Sequence, residues 1–217
     1  MIRKEHAEAA MKNYVNNISK SARWELGNKI LYDICSAYPK HNNSDEVVAK
    51  MWLIGKSYSA AVERRKNAAG FKGDFYYDCV APTLLTIGSK LDSMICGLKN
   101  HSFDEESLPQ VIATHTLLQD ALENITEMKK RSLTSKYLHF HCPNAFPILD
   151  SFAYTTLKKI VTSKGNLKYS GNGDTEYIDY CTRFLELKKY YEHQYSRAFS
   201  LREMDSLLLN YQVPEAE

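Results

Sequence analysis

Apolar residues along this 217-residue chain recur every three or four positions, and this period organises nearly all of it. After Ser44-Asp45-Glu46, an N-cap followed by acids in the first turn, Val47, Val48, Met51, Trp52, Ile54 and Tyr58 fall on one helical face. Tyr177, Tyr180, Phe184, Leu187, Tyr191 and Tyr195 form a second stripe, whose spacing suits core packing. The same reading predicts helices over roughly 4–19, 21–37, 45–67, 75–98, 108–130, 151–163, 175–197 and 200–210. No alternating pattern competes, so the expected class is all-α. Three segments interrupt the period: 67–74, 131–151 and the glycine-rich 163–174, which lacks the spacing of a phosphate-binding loop.

This length suits a single domain, either one compact body or two closely packed lobes. Composition is ordinary for a soluble globular protein, at 44% hydrophobic and 25% charged. The longest apolar run, VVAKMWLIGKSYSAAV, is broken by Lys50 and Lys56, so no bilayer crossing is expected. Glu5 and Glu8 interrupt the N-terminus, which reads as no export signal. Five scattered cysteines (35, 79, 96, 142 and 181) point to a reducing, cytoplasmic setting. Net charge is +2, but its distribution is uneven. Between Lys129 and Gly173 lie eight basic residues and one acid, Asp150. Such a basic face on a near-neutral protein is a footprint of polyanion binding.

Inside that basic window lies RSLTSKYLHFHCPNAFPILDS, Arg131 to Ser151. His139, His141 and Cys142 are zinc-type ligands, but they crowd into four positions with no second pair nearby. Neither a metal nor a cofactor is expected. The order of the segment says more. A long helix over 108–130 is followed by a hydroxyl-rich turn at Ser132–Ser135 and a short helix from Lys136. Pro143 and Pro147 enforce an extended connection, and Asp150 caps the next helix. Helix, turn and helix present backbone N–H groups that bind DNA phosphate without reading sequence. A carboxylate at Asp150, its ionised form favoured by the helix dipole, would stabilise an oxocarbenium ion at a sugar carbon. Lys136 would either attack that carbon or hold a phosphate. For a flipped base, Trp24, Asn28 and Tyr32 share one face, Trp52 and Tyr58 lie on the third helix, and Asn28 suits a base edge. Glu63-Arg64-Arg65 fits a phosphate contact or a helix-terminal salt link equally.

The SLTSK turn followed by PNAFPILD resembles the helix-hairpin-helix DNA glycosylases, particularly their 8-oxoguanine branch. The resemblance implies a two-lobed helical bundle over 1–217, with hairpin and catalytic segment at about 129–163. It implies Lys136 and Asp150 as the catalytic pair. Lys129, Lys130, Arg131, Ser132, Thr134 and Ser135 would contact DNA, and Trp24, Asn28, Trp52 and Tyr58 would receive the base. The implied partner is double-stranded DNA bound by a monomer. The implied activity is removal of a damaged or modified base: 8-oxoguanine, a deaminated pyrimidine, or a hypermodified cytosine in foreign DNA. The chain departs from the family in three ways. Ser132 and Thr134 replace hairpin glycines, the Lys136–Asp150 separation is shorter, and two residues instead of one stand between Pro147 and Asp150. A non-catalytic hairpin DNA-binding protein is the alternative. A toxin-type helical ribonuclease ranks last, because seven residues separate Arg131 from His139, outside its R-x4–6-H signature.

Overall fold

A computed structural model describes residues 1–21, 24–64, 72–163, 169 and 171–212, with side chains 18–21 excluded. The described residues form α1 (Lys4–Ser21), α2 (Glu25–Ala37), α3 (Ser44–Ser57), a π-helical turn (Tyr76–Val80), α4 (Ala81–Leu98), α5 (Leu108–Thr126), α6 (Arg131–His141), α7 (Ser151–Ile160), α8 (Thr175–Tyr195) and α9 (Leu201–Leu209). The protein is all-helical, and the lone β-type pairing among the described residues is the bridge between Ile2 and Val161. None of these helices is long and apolar enough to cross a membrane.

Side-chain caps mark the starts of α3, α7, α8 and α9. Asn43 accepts from the N–H groups of Asp45 and Glu46 at the start of α3, and Asp174 does the same for Glu176 and Tyr177 in α8. A full capping box, Ser200 with Glu203, opens α9. Expectation and structure part at four places. The predicted 45–67 helix stops at Ser57, where Ser59 turns left-handed (φ 51°), and positions 65–67 lie outside the described residues. The expected 75–98 helix begins with one π turn. The helix over 108–130 ends at Thr126, with Glu127 left-handed at φ 54°. The fourth concerns the hairpin, taken up below.

One contiguous apolar core joins all nine α-helices. At its centre lies α6, packed by α2, α3 and α5 and buried from Leu133 to Cys142. A central helix is ordinarily apolar all round. This one carries Thr134, Ser135, Lys136, His139 and His141; Ser135, Lys136 and His139 find hydrogen-bond partners inside the protein, while Thr134 Oγ1 and His141 Nε2 have none among the described residues.

Candidate active site

The hydroxyl-rich SLTS segment is not the turn. The Thr134 amide donates to the Lys130 carbonyl, so the helix is already under way at Arg131, and the turn occupies Glu127–Lys130. Ser and Thr favour turns by competing for backbone hydrogen bonds. Here Leu133, Tyr137, Leu138 and Phe140 outweigh that preference by entering the core. Two proposed phosphate contacts are corrected as a result. Thr134 is fully buried, its hydroxyl without a hydrogen-bond partner, and Ser135 is fully buried too.

Ser135 has a different task. Its hydroxyl accepts from the Leu149 amide at 2.9 Å, tying α6 to the extended segment just before Asp150. The Tyr177 and Tyr180 hydroxyls donate to the carbonyls of Pro147 (3.2 Å) and Ile148 (2.6 Å). Three side chains from two helices thus hold consecutive peptide groups of a proline-rich strand that has no sheet to satisfy it. Asp150 follows directly. Its carboxylate accepts from the Phe152 amide at 2.9 Å, capping α7, and its other oxygen, Oδ2, faces Lys136 at 3.5 Å.

Lys136 lies one turn after Ser132, to whose hydroxyl Nζ donates at 2.8 Å, and Nζ sits 5.4 Å from the centroid of the Tyr58 ring. The lysine side chain is only 4% exposed, against 33% for Asp150. Burial lowers the Lys136 pKa, while the charges of Asp150 and Asp205 oppose that fall. Above the pair opens a cavity of about 560 Å³, lined on one side by Tyr58 and Ser59 and on the other by the α5–α6 turn. The result is a partly desolvated amine beside an accessible carboxylate on the floor of a cleft, an arrangement suited to nucleophilic and electrostatic catalysis.

The basic rim is more occupied than the charge count suggests. Lys129 Nζ lies 3.4 Å from Asp174, and Arg131 bonds Asp174 through Nε (2.7 Å) and reaches Glu176 through Nη1 (3.2 Å). Burial alone would raise Asp174, but Arg131 and the Tyr177 amide bring it down to about 2. Lys130 donates to the Arg64 carbonyl. Arg65, Lys164 and Lys168 lie outside the described residues.

The expected base pocket is divided. The Tyr58 hydroxyl donates to Asn28 Oδ1 at 2.6 Å, placing both beside Lys136. Trp24 and Asn28 line a separate cavity of about 470 Å³. Trp52 is 47% exposed and lines neither cavity, so it does not join the group. Arg202 and Asp205 of α9 were not singled out in the sequence. Arg202 lies near Tyr58 and holds Asp205 at 2.9 Å. Asp205 is fully buried with Oδ1 unpartnered, and burial, countered by Arg202 and then Lys136, raises its pKa to about 6. Its only local signal was the capping box that begins α9.

His139 bridges the Tyr32 hydroxyl and the Phe146 carbonyl, His141 packs against His41 and Tyr137, and the Cys142 thiol contacts the Leu98 carbonyl. Among the described residues, no three His, Cys, Asp or Glu side chains are grouped to hold a metal ion. Comparisons with protein families, curated proteins and solved structures return no match.

Proposed function

We propose that this chain is a DNA glycosylase of the helix-hairpin-helix type, two-lobed and monomeric, that removes a damaged or modified base from double-stranded DNA. One observation carries the reading. Two groups 14 residues apart, Lys136 and Asp150, meet at 3.5 Å beneath an open cleft, and the lysine is desolvated while the carboxylate is reachable. The intervening architecture supports it: helix, four-residue turn, helix, proline-rich connection and capping aspartate.

With the target nucleotide flipped into the cleft, the Asp150 carboxylate faces the sugar and stabilises positive charge as the N-glycosidic bond breaks. The neutral form of Lys136, favoured by burial, attacks C1′ and passes to a Schiff base; the protonated form instead orients Asp150 and a water. The first route leads to strand cleavage, and the second stops at an abasic site. The α6 N-terminus, with no side-chain cap at Lys130, leaves amides for a DNA phosphate. The five unpaired cysteines suit a reducing cytoplasm.

The test incubates the protein with duplexes carrying different modified bases and compares gels with and without alkali. Alkali-dependent breaks at one base establish hydrolysis, and borohydride trapping through Lys136 establishes the lyase. No product on any base, with DNA still bound, leaves the non-catalytic binding module.

A further inference from the structure

The cavity beside the catalytic cleft has its own chemistry. Trp24, 69% exposed at the head of α2, flanks it together with Glu25, and Tyr14, Asn28, Arg202, Glu203 and Ser206 are among its other walls. Asn28 and Arg202 also form the partition from the cleft, because Asn28 accepts from the Tyr58 hydroxyl on the other side and the Arg202 charge lies near the same ring. The two spaces are therefore separated by a single layer of side chains.

Several polar groups at this cavity have no partner among the described residues. The Glu25 carboxylate, the Asn28 Nδ2 amide and the Ser206 hydroxyl make no hydrogen bond to another described residue. They supply an acceptor, a donor and a group of either kind, beside a flat indole face. At about 470 Å³ the space is ample for one small-molecule moiety. An apolar ligand would leave these groups unpaired, and a phosphate would meet Glu25 as well as Arg202. A ring bearing several neighbouring hydroxyls satisfies all of them, laying its C–H face on Trp24 and exchanging hydrogen bonds at its edge.

We propose that this cavity is a subsite for a polyhydroxylated, sugar-like substituent carried by the target base. The proposal rests on the glycosylase reading and names its substrate class: the sugar and base occupy the cleft at Lys136, Asp150 and Tyr58, and the substituent crosses the Asn28–Arg202 partition. Sites that hydrogen-bond a substrate hydroxyl discriminate strongly against analogues lacking it, because their polar groups are then left unpaired.

The experiment measures binding of the full-length Asp150→Asn chain to duplexes with one central 5-hydroxymethylcytosine, bare or glucosylated, by fluorescence anisotropy. The expected result is at least about tenfold tighter binding of the glucosylated duplex. Trp24→Ala and Glu25→Gln, both at exposed positions, bring the two duplexes to equal affinity. Equal affinity before either substitution, or an equal weakening of both duplexes by Trp24→Ala, overturns the proposal. Abasic-site formation by the unsubstituted chain is read separately. A binding preference without product on any base removes the glycosylase reading and leaves the subsite, whereas product without preference does the reverse.

Discussion

Lys50 and Lys136 are the most deeply buried lysines among the described residues, and they differ in what surrounds the amine. Lys50 of α3 is fully buried, and its Nζ donates to the carbonyls of Tyr38 (2.6 Å) and Lys40 (2.9 Å). Burial brings its pKa down to about 8, and no described cavity includes it. Lys136 is also desolvated, but its partners are a hydroxyl and a carboxylate, and a cleft opens above them. Depression of a lysine pKa is therefore common to both regions and cannot by itself mark a site. The distinction lies in geometry. Lys50 spends its hydrogen bonds on fixed backbone that only it can satisfy, whereas Lys136 is held by side chains that a substrate can rearrange.

Substitution separates the two most sharply. Asp150→Asn removes the charge that would meet an oxocarbenium ion but keeps an equivalent helix cap. Base excision is expected to fall by roughly 10²–10³, with the thermal midpoint unchanged. Lys50→Met should do the opposite. It removes the ammonium partner of two part-buried carbonyls and costs about 2–4 kcal/mol, read from the denaturant midpoint, while the activity of the folded fraction stays the same. A loss of excision with Lys50→Met at full folding would erase the distinction drawn here.

That distinction was only half visible in the sequence. Lys136 and Asp150 are 14 residues apart, and the prolines and capping position between them give a local pattern that can be read directly. Lys50, His41, Asp92 and Tyr137 give none. His41 meets Asp92 across 51 residues and Tyr137 across 96, and such contacts leave no periodic trace. Gly88 is part of the same device. A Cβ there would stand 2.2 Å from the His41 carbonyl, so the glycine lets α4 close on the loop that carries this histidine. The all-helical class follows from the apolar spacing and the α7 cap from Asp150, whereas the α3 cap falls on Asn43, one residue before the expected Ser44. The hairpin was misplaced by five residues because local hydroxyl preference and core burial pull in opposite directions over Ser132–Ser135. Burial prevails there, a competition that a single sequence does not weigh.

The buried histidines should announce themselves in the pH dependence of stability. His41 donates from Nδ1 to Asp92 (2.5 Å) and accepts the Tyr137 hydroxyl at Nε2 (2.8 Å). His139 repeats the pattern with the Phe146 carbonyl and the Tyr32 hydroxyl. In both, the neutral imidazole satisfies its two partners, and burial lowers the pKa to about 4. Burial lowers His115 to about 3 and His141 well below its ordinary value. A folded pKa below the unfolded one means that unfolding takes up protons in the interval. Stability from these four groups is thus complete above about pH 6.5 and declines as pH falls toward 4. Asp205 has the opposite sign. Its raised value, about 6, gives stability that is present in acid and lost as pH rises through 6. Near pH 5.5 the net uptake on unfolding should be about three protons, or about 4 kcal/mol per pH unit. Asp205→Asn should bring the uptake closer to four. A flat profile between pH 5 and 6.5 would mean that the histidines are not held neutral.

The smallest effect belongs to the rim of the open region. Lys129, Lys130 and Arg131 looked like a phosphate grip, but Asp174 and Glu176, just past the basic window, engage two of them. Lys129 is the more accessible of those two, with its side chain 47% exposed and a 3.4 Å contact to Asp174. Arg131 is held closer, at 2.7 Å. Part of what Lys129 gains from a DNA phosphate is therefore offset by what it gives up at Asp174. Removing one full phosphate contact lowers the slope of log affinity against log salt by about 0.9. Lys129→Gln should lower it by less, with only a severalfold loss of affinity at low salt. Asp174→Asn should raise affinity by releasing both cations, at the cost of part of the α8 cap. If Lys129→Gln instead lowers the slope by the full amount, the ion pair opens freely on binding, and Asp174 belongs with the backbone partners of Lys50 as structure alone.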